Sequence, residues 1–281
     1  MPEAHTTTFL RPEDLERAWQ ALSEEGVKAK VAWMSPRPAD PRELDLDRWV
    51  DLSALALDYI KDEAEELRLG SAFRLAAIHD SEVLRSAFGG ILAKAARKTA
   101  HQGLRNLATL GAVVEQPDSA PELSAALLAC DPELRFYAGS DERVALADYW
   151  SPAAGQGLPL ELVLNRSQAG AATGSVAWVG RSPMDRAITA LAACARIEGG
   201  KLSWIRLAVA GDGLRPQRIP SLEKQIIGSK PEDLDRVEIE GAVRQAIEPG
   251  PSYRASSEYQ KHVAGVLGWR CIRHAIGEVS A

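Results

Sequence analysis

The hydrophobic pattern of the first 165 residues predicts helices and strands in mixed order. Apolar residues recur at helical spacing over residues 12–26, 75–88, 91–100 and 123–130, and we predict amphipathic helices there. Shorter apolar or alternating stretches predict strands at residues 27–33, 49–52, 67–69, 134–136, 144–146 and 160–164. A Pro- and Asp-rich connection over residues 35–47 interrupts this mixture of helices and strands.

A different pattern follows the Gly- and Ala-rich stretch 165–175, which we interpret as a domain junction. Ala187–Glu198 and Lys201–Val209 predict two long strands, and Gly199-Gly200 between them suits a tight hairpin turn. A change of phase after Ile205 predicts a β-bulge. Beyond it we predict only helices, at residues 222–227, 232–247 and 257–276, the last starting with a capping box of Ser257 and Gln260. We therefore predict a first domain over residues 1–168 and a second over residues 175–281.

Composition and charge exclude several classes of function. The chain has 281 residues, 46% of them hydrophobic, which is enough for a substantial core. A net charge of −6 argues against nucleic-acid binding, and no apolar run is long enough for a membrane span. The cysteines Cys130, Cys194 and Cys271 are too dispersed for a disulfide framework or a metal site, and no signal peptide is evident. We expect a cytoplasmic, reduced protein, and we predict no catalytic and no metal-binding residues.

The segment Gly103–Val113 resembles a flavin-diphosphate turn. Its sequence GLRNLATLGAV is similar to the R-N-x-x-T-[IL]-G-G-N motif of medium subunits of molybdenum hydroxylases, the xanthine dehydrogenase and aerobic carbon monoxide dehydrogenase family. Residues 11–18, 50–53 and 67–71 resemble further motifs of the family's first domain. Residues 179–202 and 254–267 resemble motifs of its C-terminal domain, and the latter tract is highly specific. The resemblance covers nearly the whole chain, in order.

The resemblance implies a fold, a cofactor and partners. The fold is α/β plus α+β: a PCMH-type FAD-binding fold followed by a domain of the CO dehydrogenase flavoprotein C-terminal type, with an antiparallel sheet plus helices. Two glycine turns would hold the FAD diphosphate. The partners would be a large molybdopterin (Mo-pterin) subunit and a small [2Fe-2S] subunit, in a dimer of heterotrimers. The implied FAD contacts are Ala32, Ser35, Arg105, Asn106, Thr109, Gly111, Ala112 and Glu122.

Both turns depart from the family pattern. The first, A-G-G-[TQ]-[DS] in the family, is Ala32–Pro36 here, with Trp33 and Met34 in place of the two glycines. In the second, Ala112 and Val113 replace Gly and Asn. Backbone N–H groups approach a phosphate only where no side chain intervenes, so these replacements predict a lost or remodelled FAD site.

Two functions therefore remain open. The first is a medium subunit that relays electrons from iron–sulfur clusters through FAD to an acceptor. The second is a flavin-free scaffold that keeps the fold and the docking surfaces. An independent FAD-linked oxidase is weaker, because nothing suggests a substrate domain of its own. Trp33 and Met34 also have a plain interpretation as core residues beneath the turn.

Overall fold

The chain begins with a small parallel sheet covered by one helix. The computed structural model describes residues 7–36, 46–151, 157–182 and 185–277. The sheet has the order β1-β3-β2, from strands Thr8–Leu10, Arg48–Val50 and Ala29–Val31 respectively, and α1 is Leu15–Ser23. Asp14 caps α1 by accepting a hydrogen bond from the N–H of Arg17. Most of the predicted connection 35–47 lies outside the described residues.

A five-stranded antiparallel sheet with a set of helices completes the first half. Its order is β4-β5-β8-β6-β7, from strands Ile60–Asp62, Glu66–Gly70, Leu158–Asn165, Glu133–Tyr137 and Asp141–Ala145 respectively. Six helices connect β5 to β6: α2 Leu75–Asp80, α3 Glu82–Ser86, α4 Ile91–Lys98, α5 Gln102–Arg105, α6 Leu110–Glu115 and α7 Pro121–Ala129. Two short helices flank β8, namely α8 Leu146–Tyr149 and α9 Arg166–Ala171. Single 3₁₀ turns lie at Ser53–Leu55, Ala87–Gly90 and Pro117–Ser119.

The second half is an antiparallel sheet with helices on one face. Its order is β12-β11-β10-β9, and the strands are β9 Thr173–Val179, β10 Thr189–Glu198, β11 Lys201–Gly211 and β12 Leu214–Arg218. The helices are α10 Pro220–Ile226, α11 Arg236–Gln245 and α12 Ser257–Ala275, with a 3₁₀ turn at Pro231–Asp233. In the described ranges, no helix has both the length and the hydropathy needed to cross a bilayer.

Helix α7 joins the two halves into one packed body. All nine of its residues are buried, and its side chains share a hydrophobic cluster with Ala190, Ala192 and Cys194 of β10. The alternate residues of β10, such as Leu191 and Ala193, face the cluster that contains α12. Because side chains alternate across a strand, β10 is buried on both faces, and its small residues let helices approach from both sides.

The structure corrects several predictions in the first half. Residues 75–88 do not form one helix, because Ser81 takes an extended conformation that ends α2 and caps α3 through its side chain. Helix α7 is not amphipathic, since tertiary packing covers every side of it. Leu146 does not continue strand β7 but begins helix α8. The Gly- and Ala-rich stretch at 165–175 contains helix α9, capped by the Asn165 side chain.

Three details of the second half also differ. A strand, β12, follows β11, so the prediction of helices alone was wrong. The irregularity in the hairpin lies where Arg196 pairs with Trp204 and Ile197 with Leu202, which makes Ser203 the extra residue and contradicts a bulge after Ile205. Ser256 caps α12 by accepting from the N–H of Tyr259, whereas the predicted capping box placed Ser257 there. The Gly199-Gly200 turn is confirmed, with φ of 58° and 75°.

We expect Gly70→Ala to destabilise the fold by about 2–3 kcal/mol, because overpacking against backbone cannot be relieved by a rotamer change. A Cβ at this position would lie 2.0 Å from the carbonyl oxygen of Leu57. The matched control is Gly241→Ala in α11, where a Cβ meets nothing within 4 Å. That change should raise stability by about 0.5–1 kcal/mol through helix propensity. Urea unfolding measures both, and equal effects would contradict the packing argument.

Candidate functional site

The two turns that the sequence assigns to FAD meet in space. The first, Ala32–Pro36, follows strand β2, and the N–H of Ala32 donates to Val50 O at 2.8 Å. The second leads into α6, whose N-cap is Thr109. The Thr109 N–H donates to Met34 O at 3.2 Å, which joins the turns directly. Strand β2 and helix α6 therefore hold the two turns side by side.

The indole of Trp33 lies on Gly111. A Cβ added to Gly111 would come within 2.7 Å of Trp33 Cζ2 and 2.9 Å of its Cη2. Trp33 Nε1 donates a hydrogen bond of 2.8 Å to Glu115 Oε1, one helical turn beyond Gly111 on the same face of α6. Gly111 is thus needed for contact with a side chain of the chain itself. The sequence shows only Trp33 at a position where the family has glycine, and a carboxylate, Glu115, four residues after Gly111.

The N–H groups at the start of α6 already have partners inside the protein. Leu110 N donates to Phe73 O at 2.9 Å and Gly111 N to Ser71 O at 2.6 Å. Ala112 N reaches the Thr109 hydroxyl at 3.4 Å. The first N–H groups of a helix are the usual donors to a bound phosphate. Here they are engaged before any ligand arrives.

These observations test whether an FAD diphosphate fits between the turns. The space over Gly111 is filled by an indole, and the N–H groups of Thr109, Leu110 and Gly111 are used by backbone carbonyls. A diphosphate needs both the space and the donors. The residues between the turns therefore do not fit the diphosphate of FAD in this conformation.

The remaining predicted contacts near the turns differ in their surroundings. Arg105 donates from Nη1 to Ala100 O at 2.6 Å and so braces a residue with a φ of 54°. Asn106 ends helix α5 and is exposed, and Ser35 is half-buried. Met34 is 48% exposed, so the interpretation of Met34 as a core residue is wrong. Trp33 does pack against the core of the small sheet.

Beside the closed turns lies a groove between the small sheet and α6. It has a volume of about 670 Å³, and Trp19, Val31, Glu115 and Tyr149 line it. The Glu115 side chain reaches solvent through this groove. Desolvation by the surrounding protein raises the pKa of Glu115 to about 7, and the hydrogen bond from Trp33 opposes that shift.

Glu122 lines a cavity of about 560 Å³ between the two halves of the chain, and Pro36 of the first turn lines the same cavity. We call it the junction cavity; its lining includes Ala100, Leu104, Ser119, Glu122, Arg186 and Arg254. Glu122 is only 2% exposed, and burial raises its pKa although Lys98 and Thr99 act in the opposite direction. The sequence analysis named Glu122 as an implied FAD contact, and this stays a prediction. It did not single out Ser119 and Arg186, because no motif marks them.

Within the part of the chain that the structure describes, no group of His, Cys, Asp and Glu side chains is arranged to hold a metal ion.

Comparison with known proteins agrees with this architecture. Residues 5–163 match the family model described as the FAD binding domain in molybdopterin dehydrogenase. Residues 176–275 match the CO dehydrogenase flavoprotein C-terminal domain.

Individual relatives align along almost the whole chain. The glyceraldehyde dehydrogenase medium chain of Sulfolobus acidocaldarius is 25% identical, over 95% of this chain and 97% of its own. The alpha subunit of the 6-hydroxypseudooxynicotine dehydrogenase complex of Paenarthrobacter nicotinovorans is 27% identical, over 95% and 94%. A carbon monoxide dehydrogenase structure from Hydrogenophaga pseudoflava superposes with a TM-score of 0.83 at 18% identity, over 98% of each chain. The chain belongs to the family of flavoprotein medium subunits of molybdopterin dehydrogenases.

Proposed function

We propose that this chain is the medium subunit of a molybdopterin-dependent oxidoreductase complex and serves it as a docking subunit without FAD. The proposal that the chain lacks FAD rests on one observation: the Trp33 indole lies on Gly111, in the space that a diphosphate needs. The two family matches, which together cover most of the chain, support the first part.

The partners follow from the same family. A large subunit would hold the molybdopterin cofactor and choose the substrate, and a small subunit would hold two [2Fe-2S] clusters, in a dimer of heterotrimers. Because the Trp33 indole fills the space for the diphosphate, electrons would pass from an iron–sulfur cluster of the small subunit directly to another carrier. The relatives named as a medium chain and as a subunit of a dehydrogenase complex support a place for this chain in a multisubunit dehydrogenase.

A second candidate is the FAD-dependent electron relay of the family. Arg105, Asn106, Thr109 and Gly111 keep their places in the second turn, and Glu122 remains buried beside the cleft. This candidate requires Trp33 to leave Gly111 when FAD binds, and the Trp33–Glu115 hydrogen bond opposes that movement.

Purification of the complex from its native host, through a tag on this chain, separates the candidates. We expect iron and molybdenum subunits to co-purify, and acid extraction to release far less than one flavin per copy of this chain. One full equivalent of FAD would contradict the docking proposal and support the relay. A chain that purifies without metal-containing partners contradicts both candidates.

A further inference from the structure

The helices that connect β5 to β6 carry a positive charge, although the chain as a whole is negative. Residues 74–105 contain six lysines and arginines and two acids, Asp80 and Glu82, so the net charge of this segment is +4. The net charge of the whole chain is −6. Helix α2 packs against α4 and α5, and α3 packs against α4, so the positive charge is gathered in one group of helices. A local excess of one sign attracts a partner of the opposite sign.

Most of these cations are exposed to solvent. On α4, Lys94 and Arg97 are exposed and lie one turn apart, whereas the opposite side of the helix is buried in the core. Arg74 at the N-cap of α2 and Arg85 on α3 are exposed as well. Arg105 on α5 is half-buried, and its guanidinium group donates to the backbone that follows α4. We call these five residues the basic face.

Carboxylates leave most of the basic face without neutralisation. Arg85 has a long contact of 3.8 Å to Glu82, whose side chain is 93% exposed. Lys94 donates to a backbone carbonyl. Arg74 and Arg97 have no acidic partner among the residues that the structure describes. Charge that folding leaves unpaired at the surface is available to steer and hold a partner.

The basic face adjoins the second turn. Arg74 and Thr109, the N-cap of α6, form an isolated β-bridge. Two residues before Thr109, the apolar side chain of Leu107 is 55% exposed. Arginines around an exposed apolar side chain are common in protein interfaces. Because the cations are spread over helices α2 to α5, they suit the surface of a protein better than a small anion.

We propose that the basic face docks an acidic electron-carrier protein, which takes electrons from the iron–sulfur subunit of the complex. The inference rests on the proposed function, because a medium subunit without FAD leaves the last transfer to a separate carrier. Each encounter moves one electron, so the donor is oxidised and the carrier is reduced by one electron, with no proton transferred. Electrostatic docking over a small interface is rapid and weak, which allows the carrier to leave after each transfer.

The test titrates the complex, purified through a tag on this chain, with an acidic plant-type [2Fe-2S] ferredoxin as the probe. We expect a Kd below about 100 μM at about 20 mM salt, and at least about tenfold weaker binding at about 200 mM salt. The α4 variant, Lys94→Glu with Arg97→Glu, should bind the ferredoxin at least about tenfold more weakly at the lower salt concentration.

The matched control is Arg270→Glu on α12. Arg270 is also exposed on a helix and has no acidic partner in the described part of the chain. The control should change the affinity by less than about twofold, because it lies outside the basic face. All three substitutions change exposed side chains, so thermal unfolding should give an unchanged Tm for both variants.

The proposal is overturned if the ferredoxin does not bind at low salt, or if Arg270→Glu weakens it as much as the α4 variant does. A DNA duplex that binds more tightly than the ferredoxin, and that loses affinity in the α4 variant, would assign the basic face to nucleic acid instead. Loss of iron from the complex in the α4 variant would assign it to a resident subunit, which also overturns the proposal.

The proposed function is tested separately, on the unmodified chain. A full equivalent of FAD, or purification without metal-containing subunits, contradicts the proposed function. The same ferredoxin titration of that preparation, with the α4 variant and its control, then tests the basic face by itself.

Discussion

Replacing Trp33, Met34 and Ala112 together by glycine is expected to make the chain bind FAD roughly 100-fold more tightly. The change removes the indole that lies on Gly111 and restores the small residues of both turns. Without the side chains at positions 33 and 34, the backbone of the first turn can approach a phosphate, and two charge-assisted hydrogen bonds from its N–H groups, at about 1.5 kcal/mol each, correspond to the expected gain. Titration of the purified chain with FAD, followed by flavin absorbance after gel filtration, measures it.

The control for this prediction is Glu115→Ala. It removes the acceptor of the Trp33 hydrogen bond and keeps the indole whose Cζ2 and Cη2 lie on Gly111. If Glu115→Ala binds FAD as well as the triple variant does, steric closure is not the reason for the low affinity. If the unmodified chain already holds FAD at one equivalent, the turn opens without help and the closure argument fails.

Glu161→Ala is expected to destabilise the fold by about 2–3 kcal/mol, because it removes the buried acceptor that Arg68, Arg135 and Tyr59 share. Glu161 is fully buried in the central strand β8. It accepts from Arg68 Nε at 3.1 Å and Arg135 Nη1 at 3.1 Å, on the two neighbouring strands, and from the Tyr59 hydroxyl at 2.5 Å. Urea unfolding at neutral pH measures the loss.

A surface ion pair provides the control for this second prediction. Glu248 is 82% exposed and accepts from Lys261 at 2.6 Å, so Glu248→Ala should change stability by less than about 1 kcal/mol. Similar losses for Glu161→Ala and Glu248→Ala would contradict the assignment of a buried network.

The Glu161 network also predicts a dependence on pH. Burial alone raises the pKa of Glu161, but the hydrogen bonds from Arg68, Tyr59 and Arg135 outweigh it and hold the pKa below its ordinary value. The folded state therefore binds this proton less readily than the unfolded state. The stabilisation is fully present above the unfolded pKa of about 4.3 and is lost as the pH falls through the folded pKa. Glu161→Gln should remove this acid-dependent part of the unfolding free energy.

Local features of the chain were predictable from sequence. The Gly199-Gly200 hairpin was predictable because adjacent glycines readily adopt the positive φ of a primed turn and because two apolar stretches flank them. Helix α1 was predicted from its apolar spacing and acidic start. The single helix over 75–88 was wrong because Ser81 offers its hydroxyl as a cap, and apolar spacing does not reveal such a break.

Helix α7 shows where apolar periodicity fails. Its pattern of Leu123, Ala126 and Leu127 indicated one buried face, yet Ser124 on the opposite side is fully buried too. The covering comes from β10 and β11, which are more than 50 residues further along the chain. A local window contains no information about which distant strand will cover a helix.

The sequence by itself determined the family, the fold class and the altered glycines of both turns, because these depend on residue identity at short spacing. Only the tertiary structure decided what the altered residues do. It placed Trp33 on Gly111, brought Glu161 between Arg68 and Arg135, and set Ser119 and Glu122 at one cavity. The contacts of Trp33 and Glu161 join segments that are distant in the sequence. The cavity beside Ser119 and Glu122 depends on how the two halves of the chain pack. Their geometry therefore follows from how the sheets and helices pack, which no short segment specifies.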